Sequence, residues 1–239
     1  MENLTVYKST TPKIRIGSTN DGGYVIEDTH TYDILIACGI ADNIEFEDIF
    51  TKKYNVECMA FDGTIDKINV SNDKITFYKK NIGTTNTEHT TNLHLEIEPY
   101  NDIFLKMDIE AYEYRWFHTL SYEQLTKFKQ IVMEFHYPFT AWSFSHFDID
   151  SPIPEKMDVF RKLQATHVLV HFHPNNCCGT TTYDNTTVPN IFECTFVRKD
   201  ICTSYTKNTD NIPSILDSPC VLYSPEIHLS WPPFQYKKW

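Results

Sequence analysis

DILIACGIADNIEFE, residues 33–47, decides how the rest of the chain is read. Ile34 to Cys38 is an unbroken apolar run of strand length, and such a run belongs to a strand covered on both faces. It stops at Gly39, a turn residue. Asp42 with Glu45 three positions later has the form of a capping box, and EFEDIFTKK (45–53) then carries helical spacing. A buried strand, a glycine turn and a helix make the first βα unit of an open α/β sheet.

Working outward, the same kind of run recurs. VECMAFDG (56–63), ITFYKKNIG (75–83), DIFLKMD (102–108), QIVMEFH (130–136), HVLVHFH (167–173) and NIFECTFV (190–197) complete a set of seven. The segments between the first five can hold helices, with IEAYEYRWFHTL (109–120) after the fourth run and PEKMDVFRKL (154–163) before the sixth. These predict parallel strands. PNNCCGTTTYDNTTVP (174–189) is polar and turn-rich, so the last two runs are expected to pair antiparallel. The expectation is one domain: a turn segment over residues 1–32, a Rossmann-like core over 33–200 and an extension over 201–239. The proline-rich stretches 137–156 and 212–234 read as surface loops.

Composition narrows the function. The 239 residues include only seven glycines, with no P-loop and no GxGxxG fingerprint. A formal charge of −11 argues against nucleic acid as a partner. Seven cysteines without a CxxC fit a reducing, cytoplasmic setting better than a zinc finger. No apolar run has the length of a membrane span, and the N-terminus lacks the apolar region of a signal peptide. Self-association is left open.

In an open α/β sheet, ligands bind outside the carboxyl ends of the strands. The first run ends at Gly39-Ile40 with Asp42 close behind. An acid there would repel a dinucleotide pyrophosphate, but suits a phosphate-free ligand carrying ammonium and sulfonium, such as S-adenosylmethionine. Asp62-Gly63 ends the second run, about 20 residues on, where an acid can hold ribose hydroxyls. Asn81 and Ile82 end the third, placed to receive an adenine. Asp108, Ile109 and Glu110 follow the fourth run, and Glu134 and His136 end the fifth. Two readings of this cluster stay open. Asp108 and Glu134 could hold Mg²⁺ or Mn²⁺ through oxygen, or His136 or a carboxylate could act as a metal-free base. His173, Asn175 and Asn176 end the sixth run, and with Glu193 they are read as polar groups facing a polyol substrate; His171 and His173 also have a spacing that zinc sites use.

The ordered series DGGYV (21–25), CGIADNIEFE (38–47), AFDG (60–63), LKMDIEAYEY (105–114), IVMEFH (131–136), HFHPNN (171–176) and VPNIFECTFV (188–197) resembles the FkbM-type methyltransferases. The resemblance implies a class I methyltransferase sandwich and transfer of a methyl group from S-adenosylmethionine to a hydroxyl of a sugar or glycan. It places Gly39, Asp42, Asp62, Asn81 and the Asp108–Glu110 turn around the cofactor, with the turn at Tyr24 folding over the mouth. It also implies Asp108 and Glu134 as the ligands of any divalent metal, while the strand-end reading makes His136, Glu134, Asp108 and His173 the catalytic candidates. Ala111 stands where the family usually has glycine, at what reads as a tolerant helix start. A small-molecule or lipid O-methyltransferase, and a silent glycan-binding or assembly protein, are the other readings. A composition rich in Asn, Ile, Lys, Thr and Tyr fits an AT-rich genome, such as that of a large DNA virus, which would put the protein in a host cytoplasm.

Overall fold

The computed structural model describes residues 1–28, 30–69, 71–140 and 151–237. Seven strands form one sheet: β1 (Ile34–Cys38), β2 (Glu57–Phe61), β3 (Ile75–Tyr78), β4 (Ile103–Met107), β5 (Phe128–His136), β6 (His167–Pro174) and β7 (Ile191–Arg198). Their spatial order is β3-β2-β1-β4-β5-β7-β6. The pairs among β1 to β5 are parallel, and β7 runs antiparallel to both β5 and β6. The expected α/β sandwich, mostly parallel with an antiparallel last strand, is the fold observed.

Two details differ from the expectation. β6 runs with the parallel set, because a helix carries the chain back before it, and β7 fills the gap between β5 and β6. The run at 75–83 also splits. Asn81–Ile82 leaves the main sheet to pair with Thr90–Thr91, since the polar Lys79 and Lys80 cannot continue a buried strand. No helix occupies the described residues between β2 and β3.

The helices are α1 (Glu45–Tyr54), α2 (His94–Ile97), α3 (Glu113–Thr119), α4 (Tyr122–Leu125) and α5 (Ile153–Thr166). Helix α1 buries Phe46 and Phe50, one turn apart, and carries Glu45, Glu47 and Asp48 in its first turn with Lys52 and Lys53 in its last. That charge order complements the helix dipole. The capping box is not at Asp42, which is exposed; Asn43 Oδ1 instead accepts from Glu45 N at 3.1 Å. A true capping box opens α4, between Ser121 and Gln124. In α5, Lys156, Val159, Phe160 and Leu163 are buried at helical spacing, with Pro154 in the first turn.

Both faces of the sheet are covered. One layer is an aromatic cluster of Tyr32, Phe46, Phe50 and Phe104, with Phe50 and Phe104 centroids 4.4 Å apart. The other contains Phe135, Phe160, Phe172 and Phe192, with the last pair stacked at 4.6 Å.

The N-terminal segment is more than a turn. Lys13–Gly17 pairs antiparallel with Gly23–Glu27, whose every residue is buried, so this hairpin is part of the packed interior. The two ends of the chain meet where Tyr7–Ser9 pairs with Tyr205–Lys207. The prolines at 212–234 do not lie wholly on the surface, because Leu229 and Phe234 are buried and Phe234 lies 4.8 Å from Phe172. Of the stretch 137–156, positions 141–150 fall outside the described residues. A disulfide joins Cys177 to Cys178, while the other five cysteines are free and buried. No helix among the described residues is long and apolar enough to cross a membrane.

Candidate functional site

Strand register brings the predicted acids together. Met133 pairs with Met107, so Glu134 on β5 and Asp108 just past β4 stand at adjacent strand ends. Glu134 faces Glu193 on β7 directly across the ladder, and Glu193 faces His173 on β6. Donor atoms of Asp108, Glu134 and His136 lie within 4.8 Å of one another. Like charges on neighbouring strands are destabilising, so this row calls for compensating positive charge.

His136 supplies part of it. Its Nε2 lies 3.7 Å from Asp108 Oδ1 and 3.5 Å from Glu110 Oε2, and its Nδ1 is 3.4 Å from Glu113 Oε1. Glu113, fully buried at the start of α3, also accepts the His136 backbone N–H at 2.8 Å. Burial pulls the imidazolium down, but Glu113, Glu134 and Asp108 together outweigh it and hold the ring at about 10. His136 is therefore a charged donor at neutral pH and not a free base. Burial pushes Asp108 up, against His136 and Lys106, to about 6. Burial, then Asp108, push Glu134 well above the carboxylate range. Asp108 Oδ1 is a buried oxygen with no hydrogen-bond partner.

The loop after β1 is built by close approach. Gly39 has φ +71°, and a Cβ there would lie 1.6 Å from the Asp108 carbonyl oxygen. Only glycine lets the β1 and β4 ends draw this near. Lys106, buried inside β4, donates to Gly39 O at 2.9 Å and lies 3.4 Å from Glu47 on α1. Tyr24 is buried beneath it, with the Lys106 ammonium 5.7 Å from its ring. Tyr24 thus supports the floor of the site.

The other candidates divide clearly. Asp62 Oδ2 accepts from Ile40 N at 3.2 Å and Ala41 N at 2.9 Å, while Oδ1 accepts from Thr64 N and Oγ1. Asp62 therefore clasps the β1 turn to the end of β2, and a ribose would have to displace one of these donors. Asn81 packs its amide against Gly63, where a Cβ would meet it at 2.4 Å; Ile82 is buried beside it. Ile109 is half-buried next to Gly39, whereas Asp42 and Glu110 are exposed. Asn175 Nδ2 donates to Glu134 Oε1 at 2.7 Å, which ties it to the acid cluster. Asn176 instead anchors the backbone of Val221 and Ser224. His173 and Glu193 are buried and bonded to each other at 3.1 Å, and His171 pairs with Asp217 at 2.8 Å; the two histidines do not share a partner.

Lys106, Glu47 and Glu113 were not singled out from the sequence. Lys106 had a signal, a lone cation inside IFLKM. Glu113 had none, because its contact depends on α3 folding back over β5.

Ala111 also changes meaning. Glu110 and Ala111 have φ of +55° and +73°, so this alanine occupies a left-handed conformation and not a helix start. Ala111→Gly is expected to raise stability by about 0.5–1 kcal/mol, as relief of left-handed strain exceeds the added chain entropy; a urea-unfolding midpoint measures it.

No protein-family model matches the chain, and no curated protein matches it. Among solved structures, it is similar to a chain of the "Complex between the Haloferax volcanii Trm112 methyltransferase activator and the putative methyltransferase". That likeness has a TM-score of 0.39 at 13% identity, over 72% of this chain and 84% of the other.

Proposed function

We propose that this protein transfers a methyl group from S-adenosylmethionine to a hydroxyl of a sugar, free on a nucleotide or within a glycan. One observation carries the reading. Asp108, Glu134 and His136 gather at the carboxyl ends of the central strands of a seven-stranded, mostly parallel sheet with an antiparallel last strand. The ordered sequence resemblance to FkbM-type enzymes supports it.

When bound, S-adenosylmethionine offers a methyl on a sulfonium that departs as a neutral thioether, so the protein's task is alignment and proton removal. Asp108, beside the β1 turn, and the exposed Glu110 present negative charge to the sulfonium and ammonium. His136 is clamped by Glu113 and holds Asp108 in place. Asp108 Oδ1, which accepts no hydrogen bond among the described residues, takes the hydroxyl proton, and Asn175 fixes Glu134 alongside. Asp108 and Glu134 also offer two carboxylates that would fit Mg²⁺ or Mn²⁺ through oxygen. A cation there would acidify the acceptor hydroxyl.

Calorimetry of the full chain with S-adenosylmethionine tests the cofactor, and saturable heat in the micromolar range is expected. No heat at millimolar ligand sinks the enzyme reading and leaves the silent binding protein. Incubation with nucleotide sugars and short glycans should add one methyl by mass spectrometry. A methyl gained only on lipids or other small molecules would replace the sugar in this proposal.

A further inference from the structure

A second cluster lies deeper, on the far side of the Glu134–Glu193 pair. His173 ends β6, Glu193 faces it on β7, and Cys220 arrives from the C-terminal segment. One ligand atom from each lies within 4.8 Å of the others. His173 is 0% exposed, Glu193 4% and Cys220 9%. Glu226 completes the surround, with Oε1 3.6 Å from His173 Nε2.

Two atoms here lack hydrogen-bond partners: His173 Nε2 and Glu226 Oε2. His173 Nε2 faces Glu226 Oε1 at 3.6 Å, so Glu226 orients the ring from the side opposite Glu193. Glu193 binds His173 Nδ1 through one oxygen at 3.1 Å and accepts weakly from the Cys220 thiol through the other at 3.7 Å. Two carboxylates and a thiol thus surround one imidazole, with Glu134 opposite Glu193 adding more negative charge.

The geometry points to a structural zinc site made by His173 through Nδ1, Glu193 and Cys220, with Glu226 facing the other ring nitrogen. Sulfur, nitrogen and carboxylate oxygen in one buried set select zinc over magnesium or calcium. The three donors are buried and join β6, β7 and the C-terminal segment, so the role is to hold structure. On binding, a Zn–S bond replaces the S–H bond of Cys220, and the thiol proton leaves to solvent. The site would pin the C-terminal segment to β6 and β7, where Asn176 and the His171–Asp217 pair already hold it. This assignment takes His173 and Glu193 out of substrate contact and does not depend on methyl transfer.

Co²⁺ tests it, because a thiolate ligand to cobalt produces a near-ultraviolet charge-transfer band. The full chain is stripped with chelator and titrated with Co²⁺. One equivalent is expected to produce that band with tetrahedral visible absorption, and Asp108→Asn should retain both. Cys220→Ser should lose the charge-transfer band. Glu226→Gln, which keeps the thiol, should weaken Co²⁺ binding at least about tenfold. Zn²⁺ should raise the melting temperature of the wild type and not of Cys220→Ser. Absence of the band in the wild type, or a band and affinity unchanged by both substitutions, overturns the proposal.

Discussion

Asp108→Asn is expected to lower the rate of methyl transfer about 10²- to 10⁴-fold, the range for loss of a positioned proton acceptor. The substitution keeps the shape of the side chain and removes its charge. Among the described residues Asp108 Oδ1 accepts no hydrogen bond, and the side chain sits beside Glu134 and Glu110. Removing a crowded, partly buried negative charge relieves repulsion, so the melting temperature at pH 8 should rise or hold while turnover collapses. That split separates a residue kept for chemistry from one kept for stability. Rate from single-turnover mass spectrometry and stability from thermal unfolding measure the two effects. A variant that retains wild-type turnover removes Asp108 from the reaction.

The second large effect concerns acid and a different histidine. His167 opens β6, is 1% exposed, and has both ring nitrogens occupied. Its Nε2 donates to Phe128 O at 2.8 Å, and its Nδ1 accepts from the Thr166 hydroxyl at 2.7 Å. The neutral ring has both nitrogens satisfied, and burial opposes a charge on it. Burial, chiefly, lowers this histidine from 6.5 to about 4. The unfolded chain therefore takes up the proton first. Stability from this residue is fully present above pH 6.5 and falls as pH drops from 6.5 towards 4, by about 3 kcal/mol across the window. Asp108 and Glu134 are drawn upward and titrate in the opposite sense there, so the readout is a difference between two proteins. His167→Gln is expected to be less stable than wild type at pH 7.5 and to close that gap by about 3 kcal/mol at pH 4. Urea-unfolding midpoints across the range measure it, and parallel pH profiles would show that His167 is not the acid-sensitive group.

Much of the architecture is legible in the sequence. ILIAC, ECMAF and IFLKM are continuous apolar runs, and only a strand covered on both faces accommodates them. The acids after such runs must emerge at one edge, since parallel strands present the same end. Asp108, Glu134 and His136 were therefore readable as one cluster. Asp62 was readable as a functional acid but not as a clasp. Its partners, Ile40 and Ala41, lie across a loop whose path is set by the close contact between Gly39 and Asp108.

What the sequence by itself determined was therefore local: strand runs, turn glycines and the carboxylates at strand ends, all fixed by spacing along the chain. The tertiary structure alone decided the partners. β7 enters between β5 and β6 and lays Glu193 between Glu134 and His173. Helix α3 carries Glu113 to His136 and makes that ring a cation. The C-terminal segment brings Cys220, Asp217 and Glu226 to β6. Each contact joins residues far apart in the chain, and the charge state of a buried group depends on those neighbours and on burial, not on its place in a motif.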